Sequence, residues 1–247
     1  MQKPESKLQE LVTRLQQACG DDLVSIILYG SAAREDFHEE FSDVNVLVVL
    51  QHLKPDSFAP ISRVLHWWSH EEKLRPPMIM TLEELRESAD VFAIEMLDIQ
   101  RSHQTLFGQD VVTAIEVPMN LHRVEVEHEL RTTLLRLRHH LLLSPDNEDE
   151  LRAVLAKSIT SVLTLFRHAL IALGEEDPPH TRPQLLEHAG KVFGFEVKPL
   201  QAILKLRNEG RHSDNLRELY HAYMSAIQRV AHELDARVPK RHLRNLP

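Results

Sequence analysis

Leu8, Leu11, Val12 and Leu15 recur at helical spacing, so the chain should open with an amphipathic helix over residues 6–18, ended by Gly20. Two short apolar runs follow, LVSIILY at 23–29 and VNVLVVL at 44–50. Both are rich in β-branched residues and bounded by polar or glycine positions, which predicts two buried strands. Residues 56–74 carry an N-cap candidate and one apolar face, predicting a helix in which the adjacent Trp67 and Trp68 cannot both face one core. PPMIM at 76–80 predicts a third strand, its prolines at the start where a missing N–H is tolerated. Thr81, followed three residues later by Glu84, is a capping-box signature for another short helix. Residues 92–107 fit either a helix or a last strand, and FGQD at 107–110 closes this half.

The pattern changes near Pro118. Helical periodicity then runs over 121–143, 148–174, 182–193, 198–208 and 214–236, broken by SPDN, GEEDPPHTRP and NEGRHSD. Five helices with short connections predict an antiparallel bundle, with Leu134, Leu135, Leu141, Leu142 and the run SVLTLF in its core. The expected division is a mixed domain at 1–115 and a helical domain at 116–247, an α+β chain.

Composition narrows this only slightly. With 43% apolar and 27% charged residues over 247 positions, the chain can fill two cores and need not be disordered. A net charge of −8 argues against the broad phosphate-binding surface of a duplex DNA binder. It leaves room for a free nucleotide, where the charge of a small pocket matters more. The opening residues are charged, and no apolar run reaches the ~18 residues of a membrane span, so the expected setting is cytoplasmic, without a membrane partner. The single cysteine, Cys19, excludes an internal disulfide and reads as a small apolar residue near a helix end.

Candidate chemistry gathers between the first two strands, in LYGSAAREDFHEEFSDVNVLVVL. Gly30 and Ser31 follow a strand directly, where a glycine allows close approach to phosphate and the serine hydroxyl and turn N–H groups can donate to it. Twelve residues on, Asp43 and Asn45 stand two apart at the adjoining end of the next strand, so they share a face. Two-metal nucleotidyl transfer uses carboxylates so placed, because Mg²⁺ ions ~3.5–4 Å apart must be held against a triphosphate and an attacking hydroxyl.

Gly30-Ser31 followed by Ser42-Asp43-Val44-Asn45 resembles the Gly-Ser … Asp-x-Asp motif of the DNA polymerase β-like nucleotidyltransferase superfamily, whose small bacterial members include the minimal and the aminoglycoside nucleotidyltransferases. The resemblance runs from about Leu8 to Asp110. It implies a small mixed sheet flanked by helices, a helical domain after it, and a ligand cleft between the two. It also implies Mg²⁺ and a nucleoside triphosphate as ligands, and a small-molecule or protein hydroxyl as acceptor. Gly30, Ser31, Arg34 and Ser42 would contact the nucleotide, and Asp43 the metal, with Asn45 beside it in the catalytic pair. The sequence is also compatible with a homodimer.

The sequence departs from the family at two of three carboxylates. Asn45 stands at the second, and the third falls at Met78 in PPMIMT. Hard cations prefer anionic oxygen, so the fold is expected to be kept and the transfer chemistry weakened. Glu95, in the apolar context FAIEML, is the candidate to make up the charge, and if residues 92–100 are helical it shares a face with Asp98. Glu35, Asp36, Glu39 and Glu40 read as a solvated loop. A glutamate of the early helical half, Glu125, Glu127 or Glu129, could occupy the place of the general base in aminoglycoside-modifying relatives.

Two further readings compete. One is a non-catalytic nucleotide-binding or protein-interaction module. The other starts from Arg207 and His212 in RNEGRH, which match the Arg-x4-His motif of HEPN ribonucleases. The same spacing recurs at Arg123 and His128, which shows how little it demands of a chain with 16 histidines.

Overall fold

The computed structural model describes residues 5–33, 44–209 and 215–237. They form two units, residues 1–118 and residues 119–247.

In the first unit the two apolar runs are neighbouring strands of one sheet. Strand β1 (Leu23–Tyr29) pairs antiparallel with β2 (Asn45–Leu50) and with β4 (His103–Gly108), while β3 (Met78–Thr81) lies parallel to β2. The order is β3-β2-β1-β4, a mixed sheet. Both faces of the two central strands are buried, which is why their sequences read as continuous apolar runs without alternation. Ile26, Leu28, Val46 and Val48 pack against Leu8, Leu11 and Leu15 of α1 (Glu5–Cys19) and Ile61 and Val64 of α2 (Phe58–His66). Ile27, Leu47, Val49 and Met80 pack against Leu85 of α3 (Leu82–Glu87) and Met96 and Ile99 of α4 (Ala93–Arg101).

The capping box is present in both halves: Thr81 Oγ1 accepts from the Glu84 N–H at 3.1 Å, and Glu84 Oε2 accepts from the Thr81 N–H at 2.7 Å. The ambiguous stretch 92–107 holds both of its alternatives in turn, α4 and then β4. The tryptophans need a correction. In place of one α-helix over 56–74, α2 runs into a π-turn at Trp67–Glu71, whose wider winding turns both indoles inward. Trp67 and Trp68 are 5% and 0% exposed.

The second unit is helical among its described residues: α5 (Met119–Leu143), α6 (Glu148–Ala172), α7 (Arg182–Phe193), α8 (Lys198–Glu209) and α9 (Leu216–Arg237). α6 is long and apolar enough to cross a membrane by length and composition, although the sequence breaks its apolar run with hydroxyl residues. Ser158 and Thr164 turn those hydroxyls back onto the carbonyls of Val154 and Thr160, which hides their polarity. More than half of the stretch is buried inside the protein, and Leu155, Ile159, Val162 and Phe166 lie fully in the core. Leu134 joins that core, whereas Leu135 and Leu142 are exposed at 59% and 77%, so the expected leucine stripe is only partly interior.

Candidate active site at the end of the sheet

The chemistry-bearing residues stand where β1 stops and β2 starts. Tyr29 and Asn45 are directly opposed in the ladder, and Met78 is opposite Leu47, two residues along the same face from Asn45. Just past Tyr29 the chain turns at Gly30 with φ +76, a left-handed conformation that disfavours any residue with a Cβ. Ser102, between α4 and β4, holds that turn from both sides. The Gly30 N–H donates to the Ser102 carbonyl at 2.8 Å, and the Ser102 hydroxyl donates to the Gly30 carbonyl at 2.9 Å. The glycine therefore shapes the turn and has no N–H left for a phosphate. Donors for an anion would come from the residues after it, on the single 3₁₀ turn Gly30–Ala33.

Asn45 packs over this turn. A Cβ added at Gly30 would lie 3.3 Å from the Asn45 amide nitrogen, and the amide oxygen accepts from Arg75 Nη1 at 3.4 Å. Arg75, which precedes β3 in the sequence KLRPP, was not expected at this site. An exposed lone cation before a Pro-Pro strand start carries no motif. Its signal lay in Trp68, whose indole N–H donates to the Arg75 carbonyl at 2.8 Å.

On α4, Glu95 and Asp98 belong to the same neighbourhood. Burial raises the pKa of Tyr29, the charge of Arg75 works against that, and the charges of Glu95 and Asp98 add to it. Glu95 Oε2 is buried and accepts no hydrogen bond from the described residues. A buried carboxylate oxygen in that state has a place for a cation or a proton donor.

Arg34, Ser42 and Asp43 lie outside the described residues, as do Glu35, Asp36, Glu39 and Glu40 and His212; of Ser31 only the backbone is described. Among the described residues no three His, Cys, Asp or Glu side chains converge as a metal site. Met78, at the third carboxylate position, packs into the apolar cluster with Leu47 and Met80. Asn45 offers an amide oxygen already facing a guanidinium. The described donors thus do not fit a two-ion site; among them Glu95 has a buried oxygen that accepts no hydrogen bond.

Elsewhere the candidates have structural partners. Arg207 Nη1 donates to the Ala156 carbonyl at 3.1 Å and ties α8 to α6. Arg123, 5% exposed, pairs with Glu127 at 3.4 Å and Asp235 at 3.5 Å, and Glu127 also pairs with Arg131.

No family model matches the chain, and no curated protein does. Among solved structures it is similar to spectinomycin adenyltransferase AAD(9) from Enterococcus faecialis, crystallised with ATP and spectinomycin. The TM-score is 0.60 at 15% identity, over 92% of this chain and 98% of that one. The chain has the DNA polymerase β-like nucleotidyltransferase fold. At that identity the likeness is one of fold, and the similarity in sequence is too low to carry the chemistry across. Within the nucleotidyltransferase fold, Asn45, Met78 and Arg75 are therefore read from their own geometry.

Proposed function

We propose that this protein binds the polyphosphate of a nucleoside triphosphate at the β1–β2 end of its sheet. Transfer of the nucleoside monophosphate to a small-molecule or protein hydroxyl is then weak, with Asp43 as metal ligand and Glu95 the carboxylate that would assist it. The observation that carries this reading is Asn45: it packs over the Gly30 turn, yet its oxygen faces Arg75 and not a second carboxylate. Its surroundings suit an anionic ligand better than a pair of divalent ions. The same observation favours the alternative of a binding module without transfer, and the two share one nucleotide site.

Calorimetric titration with ATP, GTP, CTP and UTP tests the reading. Wild type should bind at least one of them saturably, and Gly30→Ala should weaken that binding by about tenfold or more, because the new Cβ meets Asn45 in a strained left-handed turn. Absence of binding to wild type would sink the proposal. Any labelled-nucleotide transfer that wild type performs should be abolished by Asp43→Ala; transfer surviving in that variant would exclude Asp43 from the chemistry.

A further inference from the structure

We infer that Arg75 is a phosphate-binding residue, and that its guanidinium supplies at Asn45 the positive charge that a second metal ion would otherwise bring. This rests on the nucleotide reading above and adds how the polyphosphate is held.

Three observations lead there. First, the Asn45 oxygen that would have to ligate an ion already accepts from Arg75 Nη1 at 3.4 Å. A divalent cation on the same oxygen would stand against a guanidinium, and like charges a few ångströms apart repel strongly away from bulk water. Second, Arg75 is anchored. Its carbonyl accepts the indole N–H of Trp68 at 2.8 Å, and the Leu74 N–H donates to the Trp68 carbonyl at 3.2 Å. Lys73 turns the chain there with φ +56. Trp68 is 0% exposed, so the backbone that carries the guanidinium is fixed to the core of the unit. Third, the side chain is exposed and its bond at Asn45 is to a neutral amide, with the charges of Glu95 and Asp98 felt beside it at Tyr29. A guanidinium has five N–H donors in a planar fork suited to phosphate oxygens, and one bond to an amide leaves the others for a ligand.

The neutrality of position 45 then has a physical reason. An aspartate at that place would pair with Arg75 and cancel the charge offered to the phosphate. An amide orients the guanidinium without neutralising it. Restoring the family carboxylate should therefore weaken nucleotide binding, the opposite of what a vacant metal-ligand position would predict.

The test is titration of wild type, Arg75→Gln, Arg75→Lys and Asn45→Asp with ATP, GTP, CTP and UTP, in EDTA and again in excess MgCl₂. For the nucleotide that binds best, binding to wild type should persist in EDTA. Arg75→Gln should weaken it about tenfold or more, Arg75→Lys should retain more of it than Arg75→Gln, and Asn45→Asp should weaken it. Thermal melts establish that each variant is folded; should Arg75→Gln unfold, the comparison of Arg75→Lys and Asn45→Asp with wild type decides. Binding that requires Mg²⁺, binding indifferent to the charge at position 75, or binding tightened by Asn45→Asp would each overturn the inference while leaving the nucleotide site in place. Failure of all four nucleotides to bind wild type in both conditions would overturn the site and the inference together.

Discussion

The two units solve the burial of polar groups in opposite ways. In the sheet unit the interior is apolar on both faces of the sheet, and among the described residues Ser25 is the one polar residue buried as a whole, beside the buried atoms Ser69 Oγ and Glu95 Oε2 of half-buried side chains. The Ser25 hydroxyl donates to the carbonyls of Phe107 at 3.1 Å and Gln109 at 2.7 Å, at the edge of β4. In the helical unit the interior itself is polar in places. His122 and His168 are fully buried with Nε2 and Nδ1 2.9 Å apart. Arg123 links α5 to α9, the Tyr220 hydroxyl donates to the Leu137 carbonyl at 2.9 Å, and Tyr223 bonds Ser158 at 3.1 Å.

The physical difference lies in the backbone. Strands find their hydrogen-bond partners in one another, while their register is set by turns and by which side chains are buried, so both faces can be apolar. Helices satisfy their backbones internally and leave their mutual packing to side chains, among which a few buried hydrogen bonds discriminate strongly. Polar residues displaced from the sheet interior collect at strand ends, which is where Gly30, Asn45 and Arg75 meet.

Three measurements would sharpen or break this contrast. The largest effect is expected for Gly108→Ala. Gly108 has φ +78, and a Cβ there would overlap the Val24 carbonyl at the point where β4 leaves β1. A loss of about 3 kcal/mol or more in denaturant unfolding is expected. A near-neutral result would mean that β4 can move away from Val24 at this point at little cost.

The helical unit should respond instead to side-chain chemistry. His122→Leu removes one partner of the buried imidazole pair and should cost about 1–3 kcal/mol. The double variant with His168→Leu should lose less than the sum of the single losses, because it removes both polar groups together. Strict additivity in that cycle would show that the imidazole contact carries no coupling.

The smallest effect belongs to the polar surface of the sheet unit. Asp110 is held down to about 2, first by the Thr113 hydroxyl, which donates at 2.6 Å; burial, the next-largest effect, opposes it, and the Thr113 N–H, His103 and the Val112 N–H add to the lowering. A carboxyl whose folded pKa is depressed contributes stability that is present above its ordinary value of 3.8 and is lost as pH falls toward 2. Asp110→Asn should therefore destabilise at neutral pH by less than about 1 kcal/mol, given how exposed the group is. The gap to wild type should close between about pH 4 and pH 2. A gap that widens on acidification would contradict the assignment.

Much of this was legible in the chain itself. The strand runs, the capping box at Thr81 and Glu84, the helices of the second half and the α+β class all follow from local pattern, and the structure has them. The π-turn at Trp67–Glu71 was not legible, because a one-residue change in winding leaves no trace in periodicity and is decided by whether both indoles can be buried. Gly30 was visible as a turn, but not the clamp by Ser102, 72 residues away.

The sequence by itself determined the order of elements, the absence of charge at positions 45 and 78, and the position of the Gly-Ser turn, because propensity, spacing and residue type are local properties. Only the tertiary structure decided what surrounds Asn45. Arg75 is 30 residues further along the chain, and the parallel pairing of β3 with β2 is what brings its segment beside the start of β2. A guanidinium acts through space and not along the chain, so its meeting with Asn45 is a property of the packed sheet.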